Sequence, residues 1–362
     1  MSADIPQATA TLSVNRYTGG IMTQHQVNNN HSHICTDIHA HIAPLKFLQE
    51  VKRSASSFGV EVEETPTGHA ITFPGLPSLR PAGGGLSETQ DRAKWMDSNG
   101  IDRQILAVWL DIQGYTLPQD KEITWVRLLN EHISQIANDS AGRYGGLAAV
   151  PLRDGDAAAK ELEYAVSTLG MSGTMLPSDP VDIDVSDSHL EPLWAAAESL
   201  NVPILLHGAS HSKWAKVGPP YLAFSLGRTL DTTILATKLI LGGLLDRYPD
   251  LKLMLCHGGG FLPYQIGRIH QAYVRGADKV SELKLQGPES YLPMLYYDTV
   301  TLNPRSLHLL LDLAGSNHIM LGSDYVWEPM GGGIKDAVEA AGLSRQQIDD
   351  IYCNTALELF RR

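Results

Sequence analysis

Eight short apolar runs, separated by stretches of helical periodicity, limit what this chain can fold into more than any other feature. They occupy residues 34–38, 104–108, 144–150, 173–176, 202–206, 251–256, 294–297 and 319–321. Each is continuous rather than alternating, the pattern of a strand covered on both faces. Between them, residues 87–99, 122–138, 157–169, 190–200, 231–248, 263–275 and 304–313 carry apolar side chains at helical spacing, and 336–341 and 344–360 follow the last run. Several of these stretches mark their own ends: Ser87-Glu88-Thr89-Gln90 reads as a capped start, Gly170 as a stop, and Pro249 closes another. Strand and helix alternating through short connections make a parallel sheet. Eight such units over about 330 residues predict an α/β fold of the (β/α)8 TIM-like barrel type rather than an open doubly wound sheet. No GxGxxG follows the first run, which weighs against a dinucleotide site.

The alternation breaks once, over residues 42–87, between the first run and the first helical stretch. Val60-Glu61-Val62-Glu63, then Thr65-Pro66-Thr67-Gly68, then Ala70-Ile71-Thr72-Phe73 spells alternation, turn, alternation. A small hairpin is expected here, followed by the Pro- and Gly-rich loop 77–85. An insertion after a barrel strand lies on the catalytic face, so this one is expected to act as a lid or side wall. Residues 1–32 are polar and mixed, ending in Asn28-Asn29-Asn30, and read as a poorly ordered extension ahead of a barrel spanning 33–362.

A net charge of −12 argues against nucleic acid or an anionic membrane as partner. No run reaches the ~18 apolar residues of a membrane span, and the first thirty residues lack the apolar core of a signal peptide. The three cysteines, Cys35, Cys256 and Cys353, are widely spaced without a CxxC; buried thiols at Cys35 and Cys256 and a cytoplasmic location are the expectation.

Chemistry in such a barrel sits at the C-terminal ends of the strands. The first run ends in Asp37-Ile38-His39-Ala40-His41, and strand alternation turns His39 and His41 to the same side. The fifth ends in His207, the sixth in His257 and the eighth in Gly322-Ser323-Asp324. Imidazoles and a carboxylate suit zinc and neighbouring divalent ions, so one ion is expected on His39, His41, His207 and Asp324. A lone HxH is a weak signal, and the chain carries its own control in His31-Ser32-His33, which precedes the strand instead of ending it. His257 is assigned as acid/base, because a catalytic ion keeps an open position beside which a free imidazole can move protons; Asp324 can serve as ligand and base. A two-metal site with His257 as a further ligand is the alternative. The Gly258-Gly259-Gly260 run after His257 is expected to let backbone approach a substrate.

These residues, in this order, resemble the amidohydrolase superfamily, and within it the decarboxylase branch typified by aminocarboxymuconate semialdehyde decarboxylase. The likeness rests on Asp37-Ile38-His39-Ala40-His41, Leu241-Gly242-Gly243, Tyr248-Pro249-Asp250-Leu251-Lys252-Leu253, His257-Gly258-Gly259-Gly260, Gly267-Arg268-Ile269 and Leu321-Gly322-Ser323-Asp324-Tyr325. It implies one bound zinc, with manganese as the alternative ion, and His257 as the acid/base. It implies non-oxidative loss of CO₂ from an unsaturated or aromatic carboxylic acid. It also implies a homodimer in which Arg268 reaches a carboxylate in the neighbouring active site. Two departures fall where substrate is selected. Thr72 and Phe73 stand where that decarboxylase has an arginine in its insertion, with Arg80 nearby as a candidate replacement, and Asp324-Tyr325 runs into Val326-Trp327-Glu328-Pro329 rather than directly into proline. Arg228, at the mouth of the fifth loop, together with Trp214 and Trp327, completes the expected substrate wall. A hydrolase or hydratase acting on an ester, lactone, amide or polarised alkene remains the rival reading, because the same ligand set would serve it. A barrel kept only for binding is the third, and the intact His257 argues against it.

Overall fold

The structure, a computed structural model, describes residues 34–209, 212, 218–276, 282–327 and 333–360. The extension 1–32, the control pair His31 and His33, and Trp214 lie outside the described residues. Ten strands are present among those described: β1 (Thr36–Ile42), β2 (Glu61–Thr65), β3 (Gly68–Thr72), β4 (Arg103–Val108), β5 (Tyr144–Leu147), β6 (Thr174–Pro177), β7 (Ile204–His207), β8 (Leu253–Leu255), β9 (Tyr296–Asp298) and β10 (Ile319–Met320). All but β2 and β3 are parallel to their neighbours, in the spatial orders β1-β4-β5 and β10-β9-β8-β7-β6.

Backbone hydrogen bonds join the two groups at both seams. Ala148, just beyond β5, bridges Thr174 of β6, with its amide on the Gly173 carbonyl at 2.8 Å. At the other seam the chain leaving β10 runs alongside β1. The Ile38 amide donates to Leu321 at 2.9 Å, Asp324 to the His39 carbonyl at 2.8 Å, and His41 to Tyr325 at 2.8 Å. Eight strands thus follow one another around a closed (β/α)8 barrel, as the eight apolar runs predict. β1, β4, β5, β6, β7 and β8 are buried throughout or nearly so, which is why they read as unbroken apolar runs.

Helices fall where periodicity places them: Thr89–Ser98, Gln119–Asn138, Gly155–Ser167, Glu191–Ser199, Arg228–Leu241, Leu262–Val274 and Pro304–Ala314. Their ends follow local chemistry. The Asp154 side chain accepts the Ala157 amide at the start of Gly155–Ser167, and Asn303 accepts those of Arg305 and Ser306 at the start of Pro304–Ala314. The segment after β1 needs a correction. A helix, Leu45–Phe58, follows β1 directly and buries Phe47, Leu48, Val51 and Phe58, ending on a left-handed Gly59. Its sequence, LKFLQEVKRSASSF, carries polar residues over more than half its length, and its closing serines resemble a loop. The antiparallel pair β2–β3 comes only after it, in register from Glu61 opposite Thr72 to Thr65 opposite Gly68.

The buried apolar residues form two clusters, one around Ile38, Leu106, Leu147 and Trp125, the other around Leu176, Leu206, Leu255 and Trp194. Trp125 is fully buried against Phe47, Phe58 and Phe73, whose rings stand edge-on to it at 5.1–5.3 Å between centroids. Helix, hairpin and barrel wall are packed together at that point. Cys35 and Cys256 are buried and free, as expected, and so is Cys353. No described helix is long and apolar enough to cross a membrane.

Candidate metal and acid/base site

β1 delivers the first two histidines. Its pairing register with β4 slips between Asp37 and Ala40, yet His39 and His41 still end on the same side, with ring centroids 5.2 Å apart. His207 closes β7, 5.0 Å from the His39 ring and 4.9 Å from that of His41. His257 follows β8 with a φ of +56°, and its ring lies 4.9 Å from His207 and 5.2 Å from His39. Asp324, also left-handed with a φ of +57°, turns its carboxylate into this cluster. Its Oδ1 is 3.2 Å from His41 Nε2 and 3.5 Å from His39 Nε2, while Oδ2 is 3.7 Å from His257 Nε2. The strand-end histidines and the late aspartate are therefore brought together, though up to 285 positions separate them in the chain (324 minus 39).

Hydrogen bonds fix which nitrogen of two of these rings carries a proton. His207 Nδ1 lies 2.8 Å from the Gly208 carbonyl, which can only accept, so Nδ1 holds the proton and Nε2 the lone pair. His39 Nδ1 is 2.6 Å from Asp298 Oδ2, an oxygen that can only accept, so Nδ1 holds a proton. Burial would lower the His39 ring, but Cys256, Asp324 and Asp298 around it hold it well above the usual imidazole range, so its Nε2 becomes a ligand by giving up a proton as a cation binds. Both Nε2 atoms are buried without a hydrogen-bond partner among the described residues, as are Nδ1 of His41 and of His257. Buried nitrogens left without donors are costly unless something else satisfies them. Converging lone pairs beside a carboxylate are what a divalent cation requires, and the donor set fits one. One ligand atom each from His39, His207, His257 and Asp324 lies within 4.8 Å of the others, and His41 joins through Asp324.

Charge is arranged accordingly. Burial, reinforced by the neighbouring imidazoles of His41, His257 and His39, holds His207 well below the usual imidazole range. His41 is lowered too, chiefly by burial against the pull of Asp324. Burial would raise the Asp324 carboxyl, but His39, His257 and His41 around it hold it well below its ordinary value. The group is a carboxylate among imidazoles, two of them neutral, and cation ligands must be deprotonated in this way. Cys256, completely buried behind His39, has its thiol pushed up to about 12 by that burial and stays inert.

A cavity of about 730 Å³ opens over His257 and Asp324, walled by Phe224, Val300, Thr301 and Trp327. A narrower recess reaches His41 and His207 between Trp109, Arg228 and Trp327. Arg228 and Trp327 line this recess. Arg268 is exposed on Leu262–Val274 and lines neither space within this chain. The glycines after His257 answer a closer constraint than substrate access. Their φ values are +59°, +77° and +62°, and a Cβ would sit 2.4 Å from Thr301 Cγ2 on Gly258 and 2.2 Å from the Thr229 carbonyl oxygen on Gly260.

Sequence reasoning missed Asp298 and Trp109, and named Arg80 only as a candidate replacement. Asp298 closes β9 and binds His39; the strand-end rule that found His207 would have found it. Arg80, from the loop after the hairpin, stacks over Trp327 at 4.3 Å and Trp109 at 5.1 Å, making a side wall that joins the insertion to the site. Trp109 itself follows β4, at a strand end without a titratable residue to flag it.

A barrel with four histidines and an aspartate at its strand ends defines a class, the metal-site barrels of amidohydrolase type. An amidohydrolase profile matches residues 36–362, and the chain belongs to the amidohydrolase family. It is 26% identical over 245 residues to 2-amino-3-carboxymuconate-6-semialdehyde decarboxylase of Dictyostelium discoideum, covering 66% of this chain and 67% of that one. It is 29% identical over 263 residues to gamma-resorcylate decarboxylase of Rhodococcus jostii, covering 67% and 79%. The solved structure of 5-carboxyvanillate decarboxylase from Novosphingobium aromaticivorans, complexed with manganese and 4-hydroxy-3-methoxy-5-nitrobenzoic acid, superposes with a TM-score of 0.75. That likeness, at 21% identity, covers 91% of this chain and 97% of the other and shows the shared fold.

Proposed function

We propose that this chain is a metal-dependent, non-oxidative decarboxylase, a carboxy-lyase acting on an aromatic or unsaturated carboxylic acid. The observation that carries the reading is the position of His257. Its Nε2 lies 3.7 Å from Asp324, beside the buried Nε2 atoms of His39 and His207, which have no hydrogen-bond partner among the described residues, and its ring borders the one large cavity that opens onto the cluster among those residues. The decarboxylases to which the chain is similar support the reaction class.

His39, His41, His207 and Asp324 would hold one divalent cation. His257 is left out of that set because it faces the cavity, with its side chain 10% exposed against 0–7% for His39, His41 and Asp324. When bound, the cation supplies Lewis-acid polarisation of a substrate oxygen. An imidazole-rich donor set favours zinc, while the manganese in the 5-carboxyvanillate decarboxylase structure supports the second candidate.

His257 would deliver a proton to the carbon bearing the carboxylate. The bond to that carboxylate then breaks, its electron pair returns to the ring or alkene, and CO₂ leaves. Arg228 would orient the anionic substrate, and Trp327 and Phe224 would flank its planar body. Their apolar faces also exclude water from the carbon that takes the proton. Arg268 would serve the neighbouring active site of a homodimer, consistent with its exposure on this one. The free, buried cysteines support a cytoplasmic setting.

The test pairs metal analysis with CO₂ release from a panel of hydroxybenzoic and muconate-like acids, on the wild type and on Asp324→Ala. About one ion per wild-type chain, its loss in the variant and metal-dependent CO₂ release are expected. Uptake of solvent oxygen without CO₂ would transfer the assignment to a hydrolase or hydratase, and a wild type that takes up no metal would remove the site.

A further inference from the structure

We infer that Asp298 is a positioning residue that holds His39 and His257 as one unit, so that the orientation of a metal ligand and that of the acid/base are set by the same carboxylate. This rests on the roles proposed above for those two histidines.

The carboxylate is buried at the end of β9 and accepts four hydrogen bonds. Oδ2 receives His39 Nδ1 at 2.6 Å and the His257 amide at 3.0 Å. Oδ1 receives the Gly258 amide at 2.8 Å and the Val300 amide at 3.1 Å. One oxygen alone therefore touches both functional histidines, one through its ring and the other through its backbone. Four donors match the roughly four lone-pair sites of an ionised carboxylate, with none left over.

Each contact has a separate consequence. The ring contact fixes the proton of His39 on Nδ1 and leaves Nε2 for a cation, an arrangement that also raises ligand basicity. The backbone contacts pin a turn that needs pinning. His257 and the three glycines after it all have positive φ, and for a residue with a Cβ that conformation is held only by its surroundings. Two amides of this turn, those of His257 and Gly258, end on Asp298. An asparagine could satisfy only one side of this arrangement. Its NH₂ would face either His39 and the His257 amide or the Gly258 and Val300 amides, donor against donor.

Asp298→Asn tests the coupling through two readouts on purified protein. Competition with a chromophoric chelator for zinc is expected to show affinity falling about 10- to 100-fold. At saturating zinc, kcat is expected to remain reduced by about tenfold or more, with KM changed less, because His257 has lost its anchor. Both values within about twofold of wild type would overturn the inference. So would weaker zinc binding with normal kcat once zinc is saturating, since Asp298 would then serve His39 alone. Should the variant not fold, nitrogen NMR of histidine-labelled wild type decides the matter: a proton on His39 Nδ1 and slow exchange of the His257 and Gly258 amides are expected. A His39 ring with its only proton on Nε2, or fast exchange of those amides, would refute it. If the wild type binds zinc but releases CO₂ from no acid, the proposed reaction fails while the chelator and NMR readings still judge Asp298.

Discussion

Asp37 and Ser323, 286 positions apart, share two hydrogen bonds: the Ser323 hydroxyl donates to Oδ2 at 2.6 Å and its amide to Oδ1 at 3.0 Å. They sit at the seam where the first and last barrel strands meet. Each precedes a proposed metal ligand, His39 two residues on and Asp324 one residue on. Asp37 also takes the Gln104 amide at 2.7 Å, and Gln104 accepts from the fully buried Arg92 at 2.7 Å. Arg92 in turn reaches the His41 and Gly85 carbonyls. The seam is thus closed by a buried polar chain that runs from Ser323 through Asp37 and Gln104 to Arg92.

Asp37→Asn should break that chain. The new NH₂ group must oppose either the Gln104 amide or the Ser323 and His39 amides, and a buried donor left without an acceptor costs about 1–3 kcal/mol. A lower denaturation midpoint and a lower metal content at equal zinc are expected. An unchanged metal content would show that the seam does not position Asp324.

His257→Ala should leave the cation in place and remove most turnover, by about 10²- to 10⁴-fold, the usual contribution of a general acid or base. Metal analysis and kcat on the same preparation check this. Loss of metal together with activity would make His257 a ligand and restore the two-metal alternative.

Glu122 sets up a pH dependence far from the chemistry. It is fully buried on Gln119–Asn138, one oxygen accepting the Leu152 amide at 3.0 Å and the other without a partner among the described residues. Burial pushes its carboxyl up to about 7, against the opposing pull of the Leu152 amide and Arg153. The folded value lies above the unfolded one, so the protonated form favours folding. That contribution is complete below about pH 4.5 and is lost as pH rises through about 7. Glu122→Gln should flatten the fall in stability between about pH 5 and 8 by up to about 3 kcal/mol. Parallel denaturant curves for the two proteins across that range would refute the assignment.

Arg80 should act on substrate binding rather than on the proton step. Its guanidinium lies over Trp327 at 4.3 Å and Trp109 at 5.1 Å, on the wall of the site rather than among the clustered imidazoles. Arg80→Met keeps much of the apolar stack and removes the charge. KM is expected to rise about tenfold, the equivalent of one charge-assisted hydrogen bond, with kcat changed far less. A fall in kcat at constant KM would instead place Arg80 in the chemistry.

The barrel and the ligand set are legible in the sequence because both obey short-range rules. Strands buried on two faces must be apolar throughout, and residues at the strand ends of such a barrel face the site, so His39, His41, His207, His257 and Asp324 declare themselves by position alone. Leu45–Phe58 escaped because its burial is confined to a narrow stripe, Phe47, Leu48, Val51 and Phe58, within a mostly polar stretch. Other features depend on contacts between segments remote in the chain. The Nδ1 proton of His39 is held by a carboxylate 259 positions away. The stacking of Arg80 on two tryptophans, the role of Asp298 and the closure through Asp37 and Ser323 likewise exist only once the ring of strands is shut. Sequence by itself determined which residues face the centre, because backbone periodicity does that locally. Tertiary structure decided what each one touches, because hydrogen bonds and ring contacts depend on ångström-scale distances that no local pattern encodes.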